Sequence, residues 1–323
     1  MKDLSKRTAI IVLNWNKPEM TMECLESLQM MWGEYDIFVV DNGSDKDKKD
    51  KLIDEMKKRS AVILAEQTIN DLTLDDRDGQ LLLLILLDKN YGYAKGNNYG
   101  LRLAYRLGYK YSLISNNDVK IIDKNVLVEL IKGIESDPKY AWAGPRIIGP
   151  DGREQKPRRR LNLSEYALER GILYPFLRKR GIEKNKAYEN KNDFKYGWPV
   201  GCFIVIKSGI ANEVNFFDEH TFLYAEELIL SEKFLTKNYL FMYVETVSIL
   251  HNHAQTTKYL FKNSSYKAEI SRLNSDIYYF RRYRNYSAFA CQLTRLSRIF
   301  YLLFYRPIVL SIKNRFNIGE NNA

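Results

Sequence analysis

The first half of the chain alternates short apolar runs with segments of helical periodicity, and this alternation restricts the fold more than any other feature. Apolar runs bounded by polar or turn residues predict buried strands at residues 9–13, 37–40, 61–64, 81–87 and 111–115. Between them, apolar residues recur at three- and four-residue spacing, which predicts helices at residues 19–31, 48–59 and 94–107. Strands that alternate with helices indicate an α/β fold with a mostly parallel central sheet flanked by helices.

The second half of the chain has a less regular pattern. We predict an exposed basic loop over residues 151–197, then a strand at residues 200–206, a helix at 225–236 and a strand at 240–244. Residues 267–312 have helical periodicity and are rich in Arg, Tyr and Phe. This composition predicts a C-terminal extension of amphipathic helices with basic and aromatic side chains.

The net charge of +10 is unevenly distributed along the chain. Residues 1–150 contain 22 Lys and Arg against 23 Asp and Glu, whereas residues 151–323 contain 28 against 17. The basic excess predicts an acidic partner for the second half: nucleic acid, an anionic membrane surface or a phosphorylated substrate. Three distant cysteines without CxxC spacing indicate neither a disulfide framework nor a zinc site, and they fit a reducing cytosol. We expect neither a signal peptide nor a membrane-spanning helix, because no apolar run reaches about 18 residues.

Short polar side chains and one tryptophan follow three of the predicted strands, at the point where each strand ends. They are Asn14, Trp15 and Asn16 after the first strand, Asp41, Asn42 and Ser44 after the second, and Asn116, Asn117 and Asp118 after the fifth. Ligands of open parallel sheets bind at the carboxyl ends of the strands, so these residues predict a ligand site. Turn and N-cap preferences of Asn, Asp and Ser explain any single one of these segments equally well. Asp118 is a candidate ligand of Mg²⁺ or Mn²⁺, since such ions bind one or two carboxylates together with substrate phosphates.

Residues 90–100 form a glycine-rich segment that matches neither the GxGxxG motif of dinucleotide-binding folds nor a P-loop. A dehydrogenase and an ATPase are therefore disfavoured. Gly92, Gly96 and Gly100 lie on one side of the predicted start of a helix. They predict either a close approach of backbone amides to a diphosphate or tight packing of the helix on a strand.

Two carboxylates and two histidines are further candidates in the second half. Glu226 and Glu227 begin the predicted helix, where carboxylates either complement the helix dipole or supply a general base for an acceptor hydroxyl. His251 and His253 follow the last predicted strand. For each histidine, the roles of metal ligand, hydrogen-bond donor to phosphate and structural residue all stay open.

Taken in order, six motifs resemble the family 2 glycosyltransferases, and within them the bacterial rhamnosyltransferase-like branch that builds surface polysaccharides. The motifs are Ile-Val-Leu-Asn-Trp-Asn (11–16), Val-Val-Asp-Asn-Gly-Ser-Asp (39–45), Asn-Tyr-Gly-Tyr-Ala-Lys-Gly-Asn-Asn-Tyr-Gly (90–100), Ser-Asn-Asn-Asp (115–118), Phe-Asp-Glu-x-x-Phe-Leu-Tyr-x-Glu-Glu (217–227) and His-x-His (251–253). The resemblance extends over residues 8–257. It implies the GT-A fold, with a catalytic domain at residues 1–265 and an amphipathic helical region at 266–323. Within the domain it implies a nucleotide-sugar-binding half at residues 1–120 and an acceptor half at 121–265.

The resemblance also implies a role for each motif residue. The residues expected to bind the donor nucleotide are Asn14, Trp15, Asn16, Asp41, Asn90, Gly96, Asn97 and Asn117. Asp118, with Asn116 and His253, is expected to bind Mg²⁺ or Mn²⁺. Glu227 matches the position of the catalytic base, and Glu226 is a competing candidate.

The activity that the resemblance implies is inverting transfer of a sugar, rhamnose being one candidate, from a UDP- or dTDP-linked donor. The expected acceptor is a glycan or a lipid-diphosphate-linked chain of a surface polysaccharide. The C-terminal helices predict attachment to an anionic membrane surface, on the cytoplasmic face of the cell membrane, and we expect no nucleic-acid partner. Two alternatives stay open: a sugar-nucleotide nucleotidylyltransferase, and a basic protein that binds nucleic acid or membrane without catalysis.

Overall fold

The computed structural model describes residues 7–74, 79–170, 191–252, 264–305 and 307, and these residues form one mixed sheet with helices on both faces. The strands are β1 (Thr8–Asn14), β2 (Tyr35–Asp41), β3 (Val62–Ala65), β4 (Leu82–Leu86), β5 (Tyr111–Asn116), β6 (Val119–Ile121), β7 (Tyr140–Ile148), β8 (Phe203–Lys207) and β9 (Leu240–His251). Across the sheet they lie in the order β3-β4-β2-β1-β5-β8-β7-β9-β6.

The helices of the described residues cover both faces of this sheet. They are α1 (Pro18–Leu28), α2 (Lys46–Lys58), α3 (Gly92–Arg106), α4 (Val126–Glu135), α5 (Leu163–Arg170), α6 (Ser208–Glu213), α7 (Glu226–Leu235), α8 (Ser265–Arg282) and α9 (Ala288–Phe300). Two 3₁₀ segments occur at Glu66–Asp71 and Lys191–Tyr196, and one π-helical turn follows α9 at Tyr301–Tyr305.

The half of the sheet built from β1 to β5 is parallel, as the sequence predicts. β1 lies between β2 and β5 and pairs in parallel with both. β4 lies between β2 and β3 and also pairs in parallel with both. Ile10, Ile11 and Val12 in β1 are completely buried, because helices cover both faces of the strand. Alternate side chains of the strands belong to two separate apolar cores, one on each face of the sheet. The predicted α/β class and mostly parallel sheet are confirmed.

The second half differs from the sequence prediction in its strands. β8 pairs antiparallel with β5, and β7 pairs antiparallel with β8 but parallel with β9. The sequence analysis missed β7, because Gly144 and Pro145 within it read as a turn. The structure accommodates Pro145 at a shift of register in the pairing with β9, the kind of position that proline tolerates. β9 also extends beyond the predicted residues 240–244 to His251.

The segment predicted as a basic loop contains helix α5, which packs on the C-terminal helices. Leu163 and Tyr166 of α5 are buried in a third apolar cluster together with Tyr279 and Phe280 of α8. These apolar residues are interspersed among arginines, so composition alone conceals them. The extension predicted from residue 266 contains α8, α9 and the turn at Tyr301–Tyr305, with non-helical residues 283–287 between the two helices, and α8 is part of the packed domain. No helix among the described residues is long and apolar enough to cross a membrane.

Candidate active site

The ends of β1 and β2 lie side by side, and their polar side chains bind each other. Asn14 is opposite Asp41 in the strand pairing, and its Nδ2 donates to Asp41 Oδ1 at 2.7 Å. Asn14 Oδ1 accepts from Thr21 Oγ1 at 2.8 Å, and the hydroxyl and backbone N–H of Ser44 both donate to Asp41. Both Asn14 and Asp41 are 0% exposed. In this structure Asp41 therefore orders the loop, and it presents no surface to a donor base.

Asn16 links the loop after β1 to the start of α2. Its backbone has a φ of 54°, a left-handed conformation that asparagine adopts more readily than most residues. Asn16 Nδ2 donates to Asp45 Oδ2 at 3.0 Å, and Asp45 N–H donates to Asn16 Oδ1 at 2.7 Å. Trp15, between Asn14 and Asn16, is only half-buried. Of these three residues, Trp15 keeps the most accessible surface.

The glycine-rich segment packs tightly on the sheet. A Cβ atom at Gly96 would lie 2.8 Å from Leu13 Cδ1, so this turn of α3 requires glycine to approach β1. The first amides of the helix are already bonded within the protein: Gly92 N–H donates to Asn90 Oδ1 at 2.9 Å, and Tyr93 N–H donates to a backbone carbonyl at 3.0 Å. Asn97 is fully buried and donates to the Tyr93 carbonyl at 3.0 Å. Helix-on-strand packing thus accounts for Gly96, whereas the first two amides of α3 are bonded to Asn90 and to the Phe222 carbonyl.

Asp118 lies beside His251, because the short strand β6 pairs with the end of β9. Val119 is opposite His251 in this pairing, and His251 Nε2 lies 3.2 Å from Asp118 Oδ1. Both side chains are buried. The other predicted histidine, His253, lies outside the described residues. His251 is therefore the histidine that the structure brings next to Asp118.

A carboxylate next to an imidazole is a donor set that suits a divalent cation such as Mn²⁺. Asp118 Oδ1 is buried, and its contact with His251 Nε2 at 3.2 Å lacks hydrogen-bond geometry, so the carboxylate and the imidazole are close enough to share a cation. Asn116 is the last residue of β5, two residues before Asp118, and its backbone N–H donates to the Cys202 carbonyl at 2.8 Å. Among the residues that the structure describes, no cluster of three or more acidic, histidine or cysteine side chains forms a complete metal site.

Adjacent residues at the turn between β5 and β6 line two cavities. One, of about 280 Å³, is lined by Asn116 and His251, and also by Glu226 and Glu227. The other, of about 290 Å³, is lined by Asn117 and Asp118, and also by Lys17, Glu19, Glu23, Lys120 and Asn252. Asn116 and Asn117 thus line different cavities although they are adjacent in the chain, and the same holds for His251 and Asn252 at the end of β9. Two ligands could be held on either side of the same short segment.

Glu226 and Glu227 begin α7 directly after two residues in left-handed conformations, Tyr224 with a φ of 76° and Ala225 with a φ of 68°. Such conformations cost energy for residues other than glycine and occur often at functional sites. Glu226 Oε1 is buried and has no hydrogen-bond partner among the described residues. Burial, and then the charge of Glu227, hold the pKa of Glu226 well above its usual range.

The two carboxyl groups differ in their surroundings. Burial also raises the pKa of Glu227, but the positive charge of Arg158 acts in the opposite direction and favours the Glu227 carboxylate. Glu227 is partly exposed to the first cavity, whereas Glu226 is 3% exposed. The environment therefore favours a neutral Glu226 beside a Glu227 that can lose its proton.

Sequence reasoning missed three residues around Glu227. A Cβ at Gly201 would lie 1.6 Å from Glu227 Oε1, so the carboxylate occupies the space that any other side chain would fill. Tyr93 donates from its hydroxyl to the Gly201 carbonyl at 2.5 Å. Arg158 reaches the cavity because its backbone pairs with Trp198, and its guanidinium lies 5.1 Å from the Trp198 ring. The basic cluster at residues 156–160 hinted at Arg158, but nothing in the sequence pointed to Gly201.

The family model of glycosyl transferase family 2 matches residues 9–204, more than half of the chain. The chain therefore belongs to glycosyl transferase family 2. No curated protein sequence gives a significant match to it.

Solved structures agree with this assignment at the level of the fold. The structure of GalNAc-T7 with UDP, GalNAc and Mn²⁺ is similar with a TM-score of 0.58 and 12% identity, over 88% of this chain and 50% of that chain. The mannosyltransferase PcManGT from Pyrobaculum calidifontis, in complex with GDP-Man and Mn²⁺, is similar with a TM-score of 0.55 and 12% identity, over 98% of this chain and 81% of that chain. This chain thus spans half the length of the first of these relatives. The protein is a family 2 glycosyltransferase by sequence and has the predicted GT-A fold.

Proposed function

We propose that the protein transfers a sugar from a nucleotide diphosphate donor to an acceptor hydroxyl. The observation that carries this proposal is that adjacent residues of the segment 116–118 line two cavities, one of which is also lined by Glu226 and Glu227 at the start of α7. A transferase must hold two substrates with their reacting atoms close together. The cavity with lysines and Asp118 suits the donor, and the cavity with Glu226 and Glu227 suits the acceptor.

The donor cavity is lined by charged groups of both signs. Lys17, Lys120 and Asn117 have donors that suit a diphosphate, but Glu19 and Glu23 line the cavity as well, and Lys120 Nζ lies 3.4 Å from Glu23 Oε2. Asp118, with His251 next to it and Asn116 and His253 as the further candidates, would hold Mg²⁺ or Mn²⁺, which supplies positive charge against the leaving diphosphate. The similar structures named above contain UDP or GDP-Man together with Mn²⁺. A UDP- or dTDP-linked sugar is the donor that we propose here.

Glu227 is the general base of the proposed reaction, because its environment allows it to ionise while Glu226 stays neutral. Glu227 takes the proton of the acceptor hydroxyl, and the oxygen forms a bond to the anomeric carbon of the donor sugar. The bond from that carbon to the diphosphate oxygen breaks, and the nucleoside diphosphate leaves. Attack from the cavity opposite the donor inverts the anomeric configuration.

The finer identity of the substrates follows from the motif resemblance. Rhamnose is the sugar that we propose for the donor, and a lipid-diphosphate-linked glycan of the cell envelope is the acceptor. An acceptor of this kind lies in a membrane, so the enzyme would work peripherally on the cytoplasmic face.

An apolar stripe on α9 supports this location. Phe289, Leu293, Leu296 and Phe300 are spaced by three or four residues, so they share one face of the helix, and all four are exposed. Phe289, at 80% exposure, is the most exposed of them. Arg281 and Arg282, at the end of α8, are exposed as well and suit anionic headgroups. In contrast, the aromatic rings of Tyr279 and Phe280 pack inside the protein, so they cannot contact lipid.

Vesicle flotation tests the membrane contact. A double variant, Phe289→Ser with Phe300→Ser, should lose binding to vesicles that contain anionic phosphatidylglycerol, because it removes two large side chains from the stripe. Trp32→Ser is a matched control, since Trp32 is also exposed but lies far along the chain from α9. Flotation of the double variant at the wild-type level would rule out the stripe as the contact.

A binding panel tests the donor assignment. UDP, dTDP, GDP and ADP are each added with and without Mn²⁺, and thermal unfolding is followed. A nucleotide at a hundred times its Kd stabilises the native state by about 2.7 kcal/mol, which shifts the melting temperature measurably. We expect UDP or dTDP to give this shift, and Asp118→Asn to reduce its dependence on Mn²⁺. If no nucleotide changes the melting temperature of the wild type, the proposed function is wrong.

A further inference from the structure

The acceptor cavity has an unusual concentration of arginines. Arg158, Arg159, Arg170 and Arg272 line it, against the three carboxyl groups of Glu226, Glu227 and Asp276. Arg159 forms an ion pair with Glu165 at 2.7 Å, so its charge is already compensated. The other three arginines come from separate parts of the chain: the segment before α5, the end of α5 and the middle of α8.

Arg158 is exposed, but its guanidinium lies close to charged groups of both signs. Partial desolvation, and then the positive charges of Arg272 and Arg170, lower its pKa, whereas Glu227 and Asp276 raise it. Among the described residues, no carboxylate forms an ion pair with Arg158, and its guanidinium lies 5.1 Å from the centre of the Trp198 ring. Neighbouring cations disfavour one another, and an anion bound between them relieves this repulsion.

Arg272 and Arg170 also line the cavity, and each of their guanidinium groups lies over an aromatic ring. The Arg272 guanidinium lies 4.4 Å from the centre of the Tyr224 ring, and the Arg170 guanidinium lies 5.7 Å from that of Tyr166. The carboxyl group nearest to them, Asp276, accepts a hydrogen bond from the Tyr166 hydroxyl at 2.8 Å. Burial raises the pKa of Asp276, whereas the charges of Arg170 and Arg272 lower it, and Asp276 in turn raises the pKa of Arg170.

Positive charge therefore outweighs negative charge in the cavity. The pKa values of Glu226, Glu227 and Asp276 are all raised by burial, whereas arginine keeps its charge throughout the physiological range. Planar guanidinium groups match the oxygen geometry of phosphate and bind it through paired hydrogen bonds.

We propose that Arg158, Arg170 and Arg272 form a subsite for a phosphate group of the acceptor, next to the hydroxyl that Glu227 deprotonates. This inference rests on the proposed transferase function and narrows the acceptor to a phosphorylated sugar. The subsite lies on the side of Glu227, away from the lysines of the donor cavity. It would also fix the orientation of the acceptor hydroxyl relative to the base.

Calorimetric titration of the full chain tests the subsite. The probes are α-hexose 1-phosphates, each with its methyl hexoside as a neutral match, and inorganic phosphate. We expect a hexose 1-phosphate to bind more tightly than inorganic phosphate, and the neutral hexosides to bind weakly or not at all. Arg158→Gln and Arg272→Gln should each weaken binding of the hexose phosphate by about 10- to 100-fold, the usual effect of losing a hydrogen bond to a charged group.

Two variants act as controls in this titration. Arg158→Lys keeps the charge and should retain part of the affinity. Arg153→Gln removes an arginine whose side chain is 88% exposed, and should leave binding unchanged. Melting temperatures of all variants establish that they fold.

The outcomes separate this inference from the proposed function. The inference is overturned if Arg158→Gln and Arg272→Gln bind the hexose phosphate as tightly as the wild type, or if inorganic phosphate binds as tightly as the hexose phosphate. It is also overturned if Arg158→Gln loses affinity for UDP or dTDP to the same extent, because the arginines would then hold the donor diphosphate. If the wild type binds neither nucleotides nor hexose phosphates, the proposed function fails as well.

Discussion

Replacement of Gly201 by alanine should displace the carboxylate of Glu227, the proposed base, without unfolding the protein. The added Cβ would lie 1.6 Å from Glu227 Oε1 and 2.5 Å from Glu227 Cδ. An ordinary contact requires about 3.5 Å, so the carboxylate must move by roughly 2 Å. Gly201 does not have a left-handed backbone, so alanine adds no backbone strain there. The flexible end of the Glu227 side chain absorbs the change, and the cost to stability is therefore small.

The expected effect on turnover is large, since a base must lie within hydrogen-bond reach of the proton it removes. We expect Gly201→Ala to lower kcat by about 10²- to 10⁴-fold, the usual contribution of a general base, with nucleotide binding unchanged. Turnover is measured as nucleoside diphosphate released from the nucleotide sugar that the binding panel selects. Gly209→Ala in α6 is the matched control, because a Cβ at Gly209 meets nothing within 4 Å. A folded Gly201→Ala enzyme with near-normal kcat would refute the placement of Glu227 as the base.

Two further predictions concern the ionisation of the carboxylate pair. Arg158→Gln removes a charge that lowers the pKa of Glu227, so the acid limb of the pH profile of kcat should move to higher pH. An acid limb at the wild-type pH would contradict this electrostatic role of Arg158. Glu226→Gln should stabilise the protein above pH 4.5 but not below it. Burial raises the folded pKa of Glu226 above its ordinary value of 4.5, so the wild type loses up to about 1.4 kcal/mol of unfolding free energy for each pH unit between those two values. Denaturant unfolding at pH 4 and pH 8 measures the difference, and equal stabilities at pH 8 would count against a neutral Glu226.

The sequence predicts the parallel half of the sheet and the gathering of polar residues at its edge. This was possible because β1, β2 and β5 are mostly apolar and almost entirely buried, and they end at Asn14, Asp41 and Asn116. A strand buried on both faces has a simple pattern, and its end is marked by the first polar residue. The position of these residues relative to one another then follows from the parallel pairing.

The sequence does not predict which polar side chains remain accessible. Asp41 matches a donor-binding motif, but its carboxylate oxygens accept hydrogen bonds from Asn14 and Ser44, and the residue is fully buried. These hydrogen bonds form only where the ends of β1 and β2 come together in the folded chain, so no local sequence pattern predicts them.

Contacts between segments that are distant along the chain could not be predicted from the sequence either. Asp118 meets His251 only because the three residues of β6 pair with the end of β9. Arg158 reaches Glu227 only because its backbone pairs with Trp198. Strands this short carry little periodicity, and a single bridge carries none. The acceptor cavity is assembled from such contacts, so it appears only in the folded chain.

The central claim is that the protein is a transferase with Glu227 as its base, and product analysis tests it most directly. Wild-type protein and Glu227→Gln are incubated with the selected nucleotide sugar, Mn²⁺ and an acceptor-containing lipid extract, and the released phosphates are identified. We expect free nucleoside diphosphate from the wild type, and at least about a hundredfold less from Glu227→Gln although this variant binds the nucleotide normally. Pyrophosphate as the product, or equal release from the two proteins, would contradict it.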